Sequence, residues 1–135
     1  MELEIVSPSD VLDTRKPYGY GQAVKVGNTI YLAGQVAWDE EGNVVGKGDI
    51  VAQVRQIYEN IRRILTAVGA TMNNIVKMTI FCKDVREFVR EASAIREVGR
   101  EYFGRHYAAS TCIQIAGLWD PSMLLEIEVT AILDN

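Results

Sequence analysis

Histidine occurs once in these 135 residues, at His106, and cysteine only twice, at Cys82 and Cys112, far apart and without CxxC spacing. One histidine with no cysteine or carboxylate at ligand spacing excludes the common zinc centres, and with them any catalytic triad that needs a second imidazole. Neither a disulfide framework nor a zinc motif is signalled by the cysteines, which sit in apolar, strand-like runs where a thiol behaves as a small hydrophobe. No metal or other cofactor is called for. Long apolar runs are also missing: none approaches the roughly 20 residues that span a bilayer, and the opening Met-Glu-Leu-Glu-Ile-Val lacks the basic start and apolar stretch of a signal peptide. A soluble, cytoplasmic protein with no membrane partner is the expectation. Basic charge is scarce as well. Lys and Arg number 14 against 18 Asp and Glu, and the resulting net charge of -4 argues against a general nucleic-acid binder.

What is present is an ordinary globular composition, 48% apolar and 24% charged, in a chain long enough to bury a core, so residues 1–135 are expected to form a single domain. Leu3 to Val6 reads as a short edge strand, followed by a loop. Pro17-Tyr18-Gly19-Tyr20-Gly21-Gln22 lacks the Gly-Lys-Ser/Thr ending and following helix of a phosphate loop, and reads instead as a loop that lets the backbone pass close to something. Ala23–Val26 and Thr29–Val36 flank Gly27-Asn28 as a hairpin. From Asp49, a candidate N-cap, Ile50, Val54, Ile57, Tyr58, Ile61, Ile64, Leu65 and Val68 recur at helical spacing up to Gly69. The opposite face, with Gln53, Arg55, Gln56, Glu59, Arg62 and Arg63, reads as solvated.

After a turn at Thr71–Asn74, Ile75–Cys82 is a third strand. Asp84 and Glu87 resemble a capping box opening a second long helix, with Val85, Phe88, Val89, Ala92, Ile95, Gly99, Tyr102 and Phe103 on one face and Gly104 at its end. Ser110–Ala116 and Leu124–Ile132 are the closing strands, joined by the loop Gly117-Leu118-Trp119-Asp120-Pro121-Ser122. The order predicts an α+β fold, one sheet with both helices on one face. On the last strand Leu125, Ile127, Val129 and Ala131 share one face, while Leu124, Glu126, Glu128, Thr130 and Ile132 share the other. A half-apolar sheet face with no helix to cover it points to self-association, and two carboxylates within it point to a polar site or contact.

Gly21-Gln22-Ala23-Val24, Leu32-Ala33-Gly34-Gln35, Gly48-Asp49-Ile50, Gly69-Ala70-Thr71, Phe81-Cys82-Lys83-Asp84 and Glu126-Ile127-Glu128 follow one another over nearly the whole chain. In that order and spacing they resemble the Rid/YjgF family of reactive-intermediate deaminases. The resemblance implies a chorismate-mutase-like fold and a homotrimer whose sheets form a central barrel, with small-molecule sites in the clefts between subunits. It also implies hydrolysis of imines such as 2-iminobutanoate and 2-iminopropanoate to 2-oxo acids and ammonia. By the same resemblance Glu126 matches the carboxylate that handles water or the substrate nitrogen, Cys112 a residue giving mainly backbone contacts, and Gly34 a glycine beside the ligand. The family tyrosine falls on Tyr20 when counted back from Gln22 without a gap, the preferred reading, or on Tyr18 with a two-residue insertion.

One position departs. Deaminating members carry an arginine two residues before the equivalent of Cys112, gripping the substrate carboxylate, and here that position is Ser110. A charge-assisted hydrogen bond contributes about 1.5–3 kcal/mol, so its loss is worth on the order of 10- to 100-fold for a 2-imino acid. Arg105 and His106 lie close in sequence as possible substitutes, and Trp119 and Tyr20 as pocket walls. The expectation is therefore an imine or enamine deaminase with altered preference. A non-catalytic small-molecule-binding trimer is the alternative. Ribonuclease or translation-inhibitor activity, which the family name has carried, is the weakest reading, given the acidic balance and the absence of a basic aromatic stripe.

Overall fold

The computed structural model describes residues 2–134. Its strands are β1 (Glu4–Val6), β2 (Ala23–Val26), β3 (Thr29–Leu32), β4 (Ile75–Cys82), β5 (Ala109–Gln114) and β6 (Leu125–Ile132), and its helices are α1 (Arg15–Tyr18), α2 (Ile50–Thr66), α3 (Val85–Arg90) and α4 (Ala92–Phe103). The strands form one mixed sheet in the order β1-β2-β3-β6-β4-β5, antiparallel throughout except for the parallel pair β4 and β5. Two-residue spacing at Gly27-Asn28 brings Val26 opposite Thr29, and Gly27 takes the left-handed conformation (φ 58°) that the tight hairpin turn requires.

The apolar stripe of α2 lies against the sheet. Ile50, Val54, Ile57, Tyr58, Ile61, Ile64 and Leu65 are buried, and they meet Leu125, Ile127, Val129 and Ala131 of β6 in one continuous core. Each large side chain buried there contributes roughly 1.5–3 kcal/mol. Asp49 caps α2 by accepting the Ala52 N–H, and Thr71 caps the following 3-10 turn (Met72–Asn74) in a reciprocal capping box with Asn74. α4 packs on α2, where the Tyr102 hydroxyl donates to Glu59 at 3.0 Å. Among the described residues, no helix covers the other sheet face. Ile5, Tyr31, Ile113 and Ile132 are exposed, and every residue of β5 is open to solvent in the single chain. Among the described residues, no helix is long and apolar enough to cross a membrane.

Five expectations need correcting. The sequence predicts two long helices, and the described residues form four, the extra ones being short. α1 occupies a stretch that reads as loop; Thr14 seeds it, its carbonyl accepting the Tyr18 N–H. The second long helix is broken at Glu91, because α3 packs loosely, with Val85 and Val89 exposed, and only Ile95 and Val98 of α4 are fully buried. The strand expected to reach Val36 ends at Leu32, and the chain leaves the ladder through Ala33-Gly34 before a single bridge from Gln35 to Ile127. Finally, Gln53 does not face water. It is fully buried, and its amide bonds the carbonyls of Gly46 and Ser122 and the N–H of Leu124, tying α2 to both flanking loops.

Candidate functional site

Strand parity decides what meets what. Glu126 lies on β6 between Leu125 and Ile127, both buried toward the helices, so its own side chain is thrown to the open face. The Gln35–Ile127 bridge then carries the Ala33-Gly34 backbone across this carboxylate. A Cβ at Gly34 would lie 2.2 Å from Glu126 Oε2 and 2.5 Å from its Cδ, so the glycine is required by close approach rather than by backbone angle.

Around this pair opens a cleft of about 500 Å³, lined by Pro17, Tyr18, Tyr20, Ala33, Gly34, Val36, Trp38, Trp119, Met123 and Glu126. The structure thus brings Tyr18, Tyr20, Gly34, Trp119 and Glu126 together from four separate stretches of sequence. Tyr18 stacks on Trp38 (centroids 5.7 Å, 20° between planes) and meets Trp119 edge-on at 5.7 Å, with Tyr20 6.5 Å from Tyr18 on the other side. Among the described residues the Glu126 carboxylate has neither hydrogen-bond donor nor cation as partner. Burial, and then the nearby Glu128, hold its pKa above the usual carboxylate value. Burial also raises the Tyr20 phenol, with Glu126 and then Tyr18 adding to the shift, so the hydroxyl stays protonated and able to donate.

Buried amides fix the walls. Gln35 Nε2 donates to Gln22 Oε1 at 2.8 Å, Gln22 Nε2 donates to the Leu12 carbonyl at 2.8 Å, and Thr14 Oγ1 donates to the Tyr20 carbonyl at 2.8 Å. The left-handed Gly19 (φ 79°) turns the chain between the two tyrosines. On the far wall Asn60 Nδ2 donates to the Trp38 carbonyl at 2.8 Å, and Ser122 holds the Trp119 loop through Asp120. Thr14, Gln22, Gln35 and Asn60 are not named as site residues by the sequence. Gln22 and Gln35 do fall within the motifs that carry the resemblance, whereas Thr14, between Asp13 and Arg15, and Asn60 carry no such signal.

Ser110 and Cys112 lie elsewhere. They pair with Met78 and Ile80 of β4, which pair in turn with Val129 and Ile127 of β6, so their side chains point to the helix side while Glu126 points to the open side. β5 also stands two inter-strand steps, about 10 Å, from β6, with β4 between them. Within one chain these groups do not meet. Cys112 is exposed at the sheet edge with its Sγ 3.9 Å from that of buried Cys82, whose thiol burial pushes up to about 11. Arg105 is exposed outside the cleft, and His106 Nε2 contacts the Ile75 carbonyl at 2.6 Å beside the Phe103 ring, a packing role. No cluster of three or more potential metal ligands occurs among the described residues.

The family model described as Endoribonuclease L-PSP matches residues 12–133. A RutC family protein of Pyrococcus abyssi is 40% identical over 117 residues, which cover 86% of this chain and 88% of the relative. The 2-iminobutanoate/2-iminopropanoate deaminase of Homo sapiens is 32% identical over 126 residues, 90% of this chain and 88% of the relative. The crystal structure of E. coli TdcF with bound serine superposes with a TM-score of 0.81 at 28% identity, covering 97% of this chain and 99% of that one.

Proposed function

The chain belongs to the Rid/YjgF family, and from that premise we propose that it is an imine or enamine deaminase working at Glu126. The observation that carries this reading is the unpartnered, half-buried Glu126 carboxylate lying against Gly34 in a cleft faced by a protonated tyrosine. A protonated imine is already electrophilic, so hydrolysis needs little more than a positioned water, a base for its proton and a donor for the departing nitrogen. Glu126 takes the proton from the attacking water and returns it to nitrogen as the carbinolamine collapses to carbonyl and ammonia. The raised carboxyl pKa favours that shuttle, because it makes Glu126 a stronger base than an ordinary carboxylate. Tyr20 orients the water or substrate by its hydroxyl.

In this proposal the molecule is a homotrimer. Three uncovered sheet faces close on one another, and β5 of a neighbouring copy brings Ser110 and Cys112 to the cleft that their own chain cannot reach. Deaminases named for 2-iminobutanoate and 2-iminopropanoate stand among the relatives, and these imines are the reference substrates, with weakened acceptance where Ser110 replaces an arginine. The test is ammonia released from imines generated in situ, with and without a carboxylate. Faster decay than in buffer is expected for at least one class; if none decays faster, the reading falls. Ser110 also favours a second reading, a trimer that binds small molecules without turnover. A Ser110→Arg variant separates the two: a gain of on the order of tenfold or more on 2-iminobutanoate marks a working site, and binding without turnover in both proteins marks the second reading.

A further inference from the structure

Behind the cleft lies a second, smaller space. Gly34 and Tyr20 line both, and much of its wall comes from Val11, Gln22, Gln35 and Val36, each more than nine-tenths buried by elements of its own chain. These walls are set within one chain, whatever a neighbouring copy adds to the cleft itself. The chamber measures about 10 Å³, room for one water.

The hydrogen-bond directions of two glutamines decide what such a chamber holds. Gln22 Nε2 donates to the Leu12 carbonyl at 2.8 Å, so Gln22 turns its amide oxygen to Gln35. Gln35 answers with Nε2, which donates to Gln22 Oε1 at 2.8 Å and to the Ala33 carbonyl at 3.0 Å. Both hydrogens of that nitrogen are then used. Gln35 Oε1 is left without a donor among the described residues, on a side chain only 3% exposed. Gln22 Nε2 keeps one hydrogen beyond its bond to Leu12. A water that donates to Gln35 Oε1 and accepts from Gln22 Nε2 satisfies both groups in a space of its own size.

The same two residues grip the turn that reaches Glu126. The Ala33 N–H donates to the Gln22 carbonyl at 2.9 Å, and the Ala33 carbonyl accepts from Gln35 Nε2. Gln35 in turn exchanges backbone bonds of 2.8 and 3.0 Å with Ile127, next to Glu126 on β6. Gly34, between Ala33 and Gln35, is thus held from both sides against the carboxylate. We propose that Gln35 is a positioning residue for Glu126: with Gln22 it binds one buried water behind Gly34, and that water locks the amide clamp that fixes Gly34 on the carboxylate. Its effect on turnover rests on the deaminase reading; the water and the clamp do not.

Two variants of the intact protein test this. Gln35→Met keeps the length of the side chain and removes its amide. Val11→Ile adds a methylene to a residue that lines the chamber and not the cleft, filling the space while both glutamines stay. Magnetic relaxation dispersion of the water oxygen counts long-lived internal waters, and each variant is expected to hold one fewer per chain than wild type. Exchange of the Ile127 amide, which donates to the Gln35 carbonyl, should run about tenfold faster in both, with the amides of α2 unchanged. On any imine that wild type hydrolyses, kcat should fall on the order of tenfold in Gln35→Met and about threefold in Val11→Ile, with KM held within about twofold. An unchanged water count in the two variants, or loss of the water with Ile127 exchange or kcat unchanged, would overturn the proposal. Val11→Ile decides alone where Gln35→Met does not fold. If wild type hydrolyses no imine, the deaminase reading falls alone, and the water count and the exchange rates still decide the clamp.

Discussion

The contact between Gly34 and Glu126 sets the geometry of the cleft. An added methyl at position 34 overlaps the carboxyl group itself, and its backbone carries no left-handed strain, so substitution acts on the glutamate rather than on the fold. Gly34→Ala is expected to leave the melting temperature within a few degrees of wild type while lowering imine turnover on the order of tenfold or more, read by parallel melting curves and ammonia release. Glu126 gives a second handle. Because burial raises its folded pKa above the 4.5 of an ordinary glutamate, the folded state binds the proton more tightly than the unfolded chain. That contribution is fully present below pH 4.5 and is lost as pH rises through the folded value. Glu126→Gln should therefore melt higher than wild type at pH 7.5, with the difference shrinking or reversing near pH 4. A constant difference across that range would place the carboxylate in water. Glu126 is legible from strand parity, but its contact with Gly34 is not, since it depends on where the chain leaves the ladder after Leu32.

At the scale of elements, periodicity serves best where one face alone is buried. It locates α2 with its Asp49 cap and the inward set of β6, because burial of those stripes dominates their energetics. It fails for the region after Asp84, where Val85 and Val89 continue the apolar pattern yet stay exposed and the helix breaks at Glu91. It also fails for Gln53, whose polar side chain the pattern assigns to solvent although it is the hub joining α2 to the Gly46 and Ser122 loops. A buried amide with three partners cannot be told from a surface one by pattern alone. Gln53→Ala is expected to cost about 1–3 kcal/mol in chemical denaturation, since it leaves the Leu124 N–H and the Ser122 carbonyl without their side-chain partner, while the Gly46 carbonyl keeps the Asp49 N–H. The loop bearing Trp119 is held through the same Ser122, so this variant should also weaken ligand binding in the cleft.

At the scale of the whole molecule, the single chain leaves one sheet face uncovered. An uncovered sheet face with Ile5, Tyr31, Ile113 and Ile132 exposed, and an edge strand open along its full length, are costly features for a monomer. Sedimentation at micromolar concentration is expected to give three times the 15.1 kDa chain mass. Ile132→Asp on the open face should shift the species toward monomer and abolish turnover with it, whereas a monomeric wild type with full activity would remove the shared-cleft account. The resemblance read from motif order carries over to the family; of the sequence departures, Tyr18 and Tyr20 line the cleft, while Ser110 lies outside it within one chain. The most direct test of the central claim is the decay of an in situ generated protonated imine followed at pH 7.5 with wild type and Glu126→Gln at equal concentration. Wild type should accelerate the decay, and the variant, folded and still oligomeric, should lose on the order of 100-fold of that acceleration; equal rates for the two proteins would contradict it.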